Sequence, residues 1–210
     1  MKGKTKMTTK RLIRIAYFTA LTAVGAFIKI PIGTVVFSLQ SFFVIMAGLI
    51  IGPVDGLIAQ AAYMLIGLVG VPIFTQGGGF AYVFQPSFGY IIGFNFGAFV
   101  AGIIMLSFRK LNTVKIWIAA LIGLIPLYAV GMAYQVMILV CVNGMAVMPA
   151  VYTLVTMPFF LLFDIVALLL VAIVYPRLTA LISVRRERKA KNTAAVEVSD
   201  EESKEEPKEE

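Results

Sequence analysis

Residues 158–172 read PFFLLFDIVALLLVA, an apolar run broken by a single charge, Asp164. No other acidic residue occurs between Asp55 and Glu187. A run of this length and apolarity reads as part of a membrane-crossing helix, since a hydrocarbon core of about 30 Å is spanned by about 20 residues rising 1.5 Å each. A carboxylate in such a segment is costly unless it faces protein, water or a ligand, so Asp164 is a candidate functional residue.

The rest of the chain agrees with that reading. Mean hydropathy is +0.93, and 60% of the 210 residues are hydrophobic. Transmembrane strands would alternate in polarity with period two, whereas residues 12–30 and 116–140 are predominantly apolar without that alternation. The expected fold is therefore an all-α integral membrane protein, a bundle of six transmembrane helices at about 12–30, 36–51, 56–71, 87–107, 115–140 and 151–175. The cut between the second and third helices falls at Gly52-Pro53-Val54-Asp55-Gly56, where proline removes a donor and a charge appears.

Charge predicts the orientation. Lys2, Lys4, Lys6, Lys10, Arg11 and Arg14 precede or open the first helix; Arg109, Lys110 and Lys115 join the fourth and fifth; Arg177, Arg185, Arg186, Arg188, Lys189 and Lys191 follow the sixth. Six spans bring all of these to one side, which the positive-inside rule makes the cytoplasm, and leave only Lys29 near the other. Both termini are thus expected to be cytoplasmic, with connections 31–35, 72–86 and 141–150 facing outward. The chain divides into a basic cytoplasmic N-terminus (1–11), a six-helix substrate-binding domain (12–178) and a charged, mostly disordered cytoplasmic tail (179–210). The first helix lacks a small-residue cleavage site and is expected to be retained.

The same features exclude several functions. The net charge of +7 sits at membrane-flanking positions, so the expected partner is the lipid bilayer and not nucleic acid. One cysteine, Cys141, and no histidine leave no metal-ligand cluster, and no cofactor is expected. No Gly-x-x-x-x-Gly-Lys-Ser/Thr run is present, so any ATP-driven step would need another subunit. An enzyme would need an acid paired with a base, an activated nucleophile or a metal, none of which the chain offers. A non-catalytic membrane assembly subunit would account for the small-residue stripes Gly89/Gly93/Gly97/Ala101 and Ala16/Ala20, but not for a lone intramembrane aspartate.

Several ordered segments carry a family likeness: GAFIKIP (25–31), FSLQSFFV (37–44), AGLIIGP (47–53), YMLIGLVGVPIF (63–74), the glycines Gly77, Gly78 and Gly79, and PSFGYIIGF (86–94). Together they resemble the biotin-specific S components of energy-coupling-factor (ECF) vitamin transporters, the BioY family. That resemblance implies a multi-pass subunit of the cell membrane that captures biotin or a similar vitamin on the outer side. It would deliver the vitamin inward with a transmembrane T subunit and two ATP-binding subunits. It further implies that an Ala-x-x-x-Ala face on the first helix, here Ala16 and Ala20, contacts the T subunit. A different vitamin or a biotin precursor is the alternative substrate.

Two positions depart from the family pattern. The last helix of the family carries Asp-x-x-Lys, where this chain has Asp164-Ile165-Val166-Ala167; Pro-Thr-Gly-Gly-Tyr becomes Pro86-Ser87-Phe88-Gly89-Tyr90. No arginine lies between Arg14 and Arg109. Asp164 suits the ureido N–H of a biotin-like ligand, while the ligand carboxylate wants a cation, for which Lys29 is the candidate. Gln40, Gln76, Tyr90 and Asn95 complete the expected binding set, with Gly77, Gly78 and Gly79 closing the backbone over the ligand. Each has a plainer role: Asp164 as a structural acid satisfied by backbone donors, Gln135 or Asn143, Lys29 snorkelling to headgroups, Gln40 and Gln76 capping helices, Asn95 bonding between helices, and Tyr82, Tyr90 and Trp117 anchoring at the interface.

Overall fold

Gly52 and Pro53 cut one long apolar run into two helices. Gly52 adopts φ +92°, a left-handed conformation that suits glycine, and its N–H closes the preceding helix on the Gly48 carbonyl. Pro53 then opens the next helix, where its missing N–H costs nothing. The structure, a computed structural model, describes residues 8–32, 35–108, 112–173 and 175. The basic positions outside these segments, and the tail expected to be disordered, lie outside the described residues.

In chain order the helices are α1 (Thr9–Phe27), α2 (Gln40–Ile51), α3 (Pro53–Leu68), α4 (Phe88–Ser107), α5 (Thr113–Cys141) and α6 (Val147–Ile173). A 3-10 stretch at Thr153–Thr156 interrupts the start of α6. Of these, α4, α5 and α6 are each long and apolar enough to cross a membrane. At 1.5 Å per residue, α2 and α3 reach only about 18 and 24 Å.

The first helix was expected to run to residue 30, and it stops at Phe27. Residues 29–38 instead form an antiparallel hairpin of β1 (Lys29–Ile32) and β2 (Val35–Ser38), with Lys29 opposite Ser38 and Ile32 opposite Val35. Pro31 disfavours the helical conformation at Ile30, and this shortens α1 and delays α2 from 36 to Gln40. The third helix likewise occupies Pro53–Leu68 in place of 56–71, because Pro53 is a better start than Gly56 and Gly70 supplies a left-handed stop at φ +118°.

Packing rests on backbones that touch. A methyl group built on Gly93 would stand 2.5 Å from the Leu127 carbonyl oxygen, and one on Gly97 would stand 3.1 Å from that of Gly123. The stripe Gly89/Gly93/Gly97/Ala101 therefore seats α4 on α5, the close approach that small residues allow in membrane helices. At the other face of α4, a methyl on Gly48 would collide with the Ala98 backbone, and one on Gly102 would lie 2.6 Å from the Pro53 nitrogen. α2 sits in the middle, packed on α1, α3, α4 and α5, with Val44, Ile45 and Ala47 fully buried.

Polar contacts order the two ends. The Arg11 guanidinium meets the Asp55 carboxylate at 2.6 Å, which brings the starts of α1 and α3 together. Asp55 lies in the first turn of α3, where the helix dipole favours an acid. Between them Thr19 donates to the Ala59 carbonyl at 3.0 Å and Thr22 to Gln60 Oε1 at 3.2 Å, tying α1 to α3 along their length. The hairpin and the loop 69–87 lie at the opposite end.

Candidate functional site

Asp164 is 3% exposed, and both of its oxygens are engaged. Ser41 Oγ, in the first turn of α2, donates to Oδ1 at 2.5 Å; the Tyr128 hydroxyl, from the middle of α5, donates to Oδ2 at 2.8 Å. The carboxyl group thus joins three helices that are far apart in sequence. Two hydroxyl donors reduce the cost of burying it without using all of its acceptor capacity, since two carboxylate oxygens offer about four lone-pair sites. What remains is an acceptor facing a cavity.

That cavity measures about 60 Å³ within a recess of about 550 Å³ that is open to solvent. Aromatic and apolar groups line it, including Phe94, Leu127, Tyr128 and Phe160. Polar groups line it as well: Ser38, Gln40, Ser41, Thr75, Tyr82 and Ser87. A mostly apolar recess with a few convergent polar groups is the usual form of a small-molecule site. Among the described residues, none that lines it is basic. No group of three metal-ligating side chains occurs among the described residues.

The polar groups hold one another. Ser38 Oγ donates to Gln40 Oε1 at 2.9 Å, Gln40 Nε2 donates to the Tyr63 hydroxyl at 2.6 Å, and that hydroxyl donates to the Ile73 carbonyl at 2.9 Å. Tyr90 lines the cavity too, its hydroxyl 2.9 Å from Gln135 Oε1 and 3.0 Å from Met157 Sδ. Thr75, Tyr82 and Ser87 form a hydroxyl chain with separations of 3.0 and 3.1 Å. Lys29 sits just outside: it is exposed, and its Nζ donates to the backbone carbonyl of Thr75.

Asp164, Gln40 and Tyr90 line the cavity; Lys29 reaches it only through Thr75. Gln76 is exposed and outside the lining. Asn95 turns back on its own helix, its Nδ2 3.2 Å from the carbonyls of Ile91 and Ile92. Gly77 and Gly79 take φ +120° and +100° and shape a tight loop: Gly77 pairs with Phe74 through two backbone bonds, and Gly79 N–H donates to the Gly67 carbonyl at 2.7 Å. A methyl on Gly78 would strike the Val71 carbonyl. The loop clamps Phe74 among Tyr63, Tyr82 and Phe88, and so supports the wall that carries Thr75 and Tyr82. Ala16 and Ala20 are exposed on α1, in a face that also bares Ile13, Tyr17 and Val24.

Ser41, Tyr128 and Thr75 escaped the reading of the sequence, and Gln135, weighed as a partner of Asp164, bonds Tyr90 and Thr153 instead. The signal was there for Tyr128, a polar group inside a long apolar helix. For Ser41 and Thr75 no local pattern points inward, because their orientation depends on how α2 and the loop after α3 meet α6.

The sequence profile of the BioY family matches residues 1–184. The chain belongs to the BioY family. It is 49% identical over 129 residues to the probable biotin transporter BioY of Lysinibacillus sphaericus, covering 61% of this chain and 66% of that one. It is 40% identical over 123 residues to the biotin transporter BioY of Thermotoga maritima, covering 58% and 72%. The chain also superimposes on the crystal structure of the S-component for biotin from an ECF-type ABC transporter, with a TM-score of 0.67, 27% identity, and coverage of 81% of this chain and 95% of that one. Family membership and the long apolar helices make it a multi-pass membrane protein, and its relatives are transporters.

Proposed function

We propose that this chain is the substrate-capturing S component of an ECF-type importer, not an enzyme, and that it binds biotin or a closely similar vitamin in the cavity around Asp164. The observation that carries the reading is a buried acceptor set in an apolar recess, in a chain that shares its fold with an S component for biotin. Asp164 would accept a ureido N–H, Gln40 and Tyr90 would contact the ring system, and Lys29 would pair with the carboxylate. The cavity lies at the end of the bundle away from the Arg11–Asp55 pair. With both termini cytoplasmic and six spans, that end faces outward, as capture from outside requires.

Delivery would need a T subunit and two ATPases, with the Ala16/Ala20 face of α1 as the contact with the T subunit. Exposure of both alanines beside bared apolar side chains supports this. The test is direct: the protein purified in detergent is titrated with biotin, desthiobiotin, thiamine and riboflavin. Selective, saturable binding of biotin or desthiobiotin is expected, and binding of none of the four removes the reading.

A further inference from the structure

The cavity is lined by two separate polar networks with opposite needs. At one, Asp164 accepts from Ser41 and Tyr128 and has acceptor capacity to spare. At the other stand Thr75, Tyr82 and Ser87, 6%, 5% and 8% exposed, linked hydroxyl to hydroxyl. Three hydroxyls carry three protons, and the two links between them use two. Whichever way the chain is polarised, one O–H proton is left over, at Thr75, at Ser87 or at Tyr82 itself. All three residues line the cavity. This pole therefore has a donor that no described protein group takes, and a rotating hydroxyl can aim it.

Charge selects what should receive that proton. The only ammonium against this wall among the described residues is Lys29, whose Nζ donates to the carbonyl of Thr75, the residue that begins the hydroxyl chain. An anion at the Thr75 end would gain a charge-assisted O–H bond and lie near a cation in a partly desolvated recess. We propose that Thr75, Tyr82 and Ser87, with Lys29 behind Thr75, form a carboxylate subsite that replaces a lining cation, so that the cavity selects ligands with an N–H donor at one end and a carboxylate at the other.

This inference rests on the biotin-class reading above, and its test separates the two. Wild type, Thr75→Val, Tyr82→Phe and Asp164→Asn are purified in detergent and titrated with biotin and with biotin methyl ester, which keeps the ureido group and lacks the charge. Thr75→Val keeps the branched shape and removes the hydroxyl of the residue whose carbonyl Lys29 holds. It is expected to weaken biotin about ten-fold and the ester less than about three-fold, because a bond to a charged group is roughly twice as strong as one to a neutral group. Tyr82→Phe keeps the ring that packs on Phe74 and Phe88 and unlinks the two outer hydroxyls, so that each has a free proton, and should weaken biotin no more than the ester. Asp164→Asn should weaken both ligands alike, which marks a folded site read at its other pole. Equal losses for acid and ester in Thr75→Val, or no loss for either, overturn the subsite and leave the biotin reading intact. Failure of wild type to bind either ligand overturns both.

Discussion

At the scale of residues, the decisive atom group is the Asp164 carboxyl. Asparagine has nearly the same shape, and the Ser41 and Tyr128 hydroxyls can rotate to suit an amide, so Asp164→Asn should leave the fold intact. It removes a charged acceptor, and a charge-assisted bond to a ligand N–H is worth about 1.5 to 3 kcal/mol. We expect biotin affinity to fall about ten-fold to more than a hundred-fold in a titration of the purified protein. Undiminished affinity would mean that Asp164 serves only to join α2, α5 and α6. Lys29 makes a separate prediction. In the proposed site its ammonium, besides holding the Thr75 carbonyl, would meet only the ligand's charge, so Lys29→Gln should weaken biotin and leave biotin amides unchanged in the same titration. A loss shared by both would assign Lys29 to holding the Thr75 loop.

At the scale of elements, the helices meet through glycines whose missing side chains are filled by a neighbour's backbone. At Gly93 the obstacle is the Leu127 main chain, which cannot rotate aside as a side chain would. Gly93→Ala should therefore force α4 from α5 and destabilise the protein by about 1 to 3 kcal/mol, the usual cost of overpacking. A thermal unfolding midpoint in detergent equal to that of wild type would contradict this. The Ala16/Ala20 face is the opposite case, small residues with nothing described against them. Replacing both by leucine should leave biotin binding of the isolated protein unchanged and abolish uptake by cells that supply the T subunit and ATPases. Normal uptake by the double variant would release α1 from that role.

At the scale of the whole molecule, the Arg11–Asp55 pair and the open recess mark two unlike ends of one bundle. If the chain makes six spans, as its charge pattern predicts, the basic end would lie in the cytoplasm and the recess outside. Reporters fused near residue 112 and after residue 210 should read cytoplasmic, and one near residue 78, in the loop that supports the cavity wall, should read external. A cytoplasmic reading at 78 would reverse the direction of capture. The short α2 and α3 fit this arrangement because the hairpin and the loop 69–87 continue the same end of the bundle and are packed against it.

Sequence alone was enough for whatever depends on solvent or on neighbours along the chain. Long apolar runs can bury themselves only in lipid, Gly52-Pro53 breaks a helix wherever it stands, and a lone acid such as Asp164 in an apolar run must meet something polar. Membrane class and helix count followed from these, and Asp164 stood out as a candidate; the family came from the resemblance of its ordered motifs. Local chemistry also explains the misjudged ends of α1 and α2, since Pro31 could have been weighed against the apolar run that hid the hairpin. The partners of Asp164 were of another kind. Ser41 and Asp164 are 123 positions apart, and Tyr128 is 36 away. Nothing in the pattern around a serine says which helix it will face, because that is decided when Gly48 and Gly93 let α2 and α5 close on α4. Asn95, as polar as Gln40, was turned by the same packing toward its own helix while Gln40 was turned into the cavity.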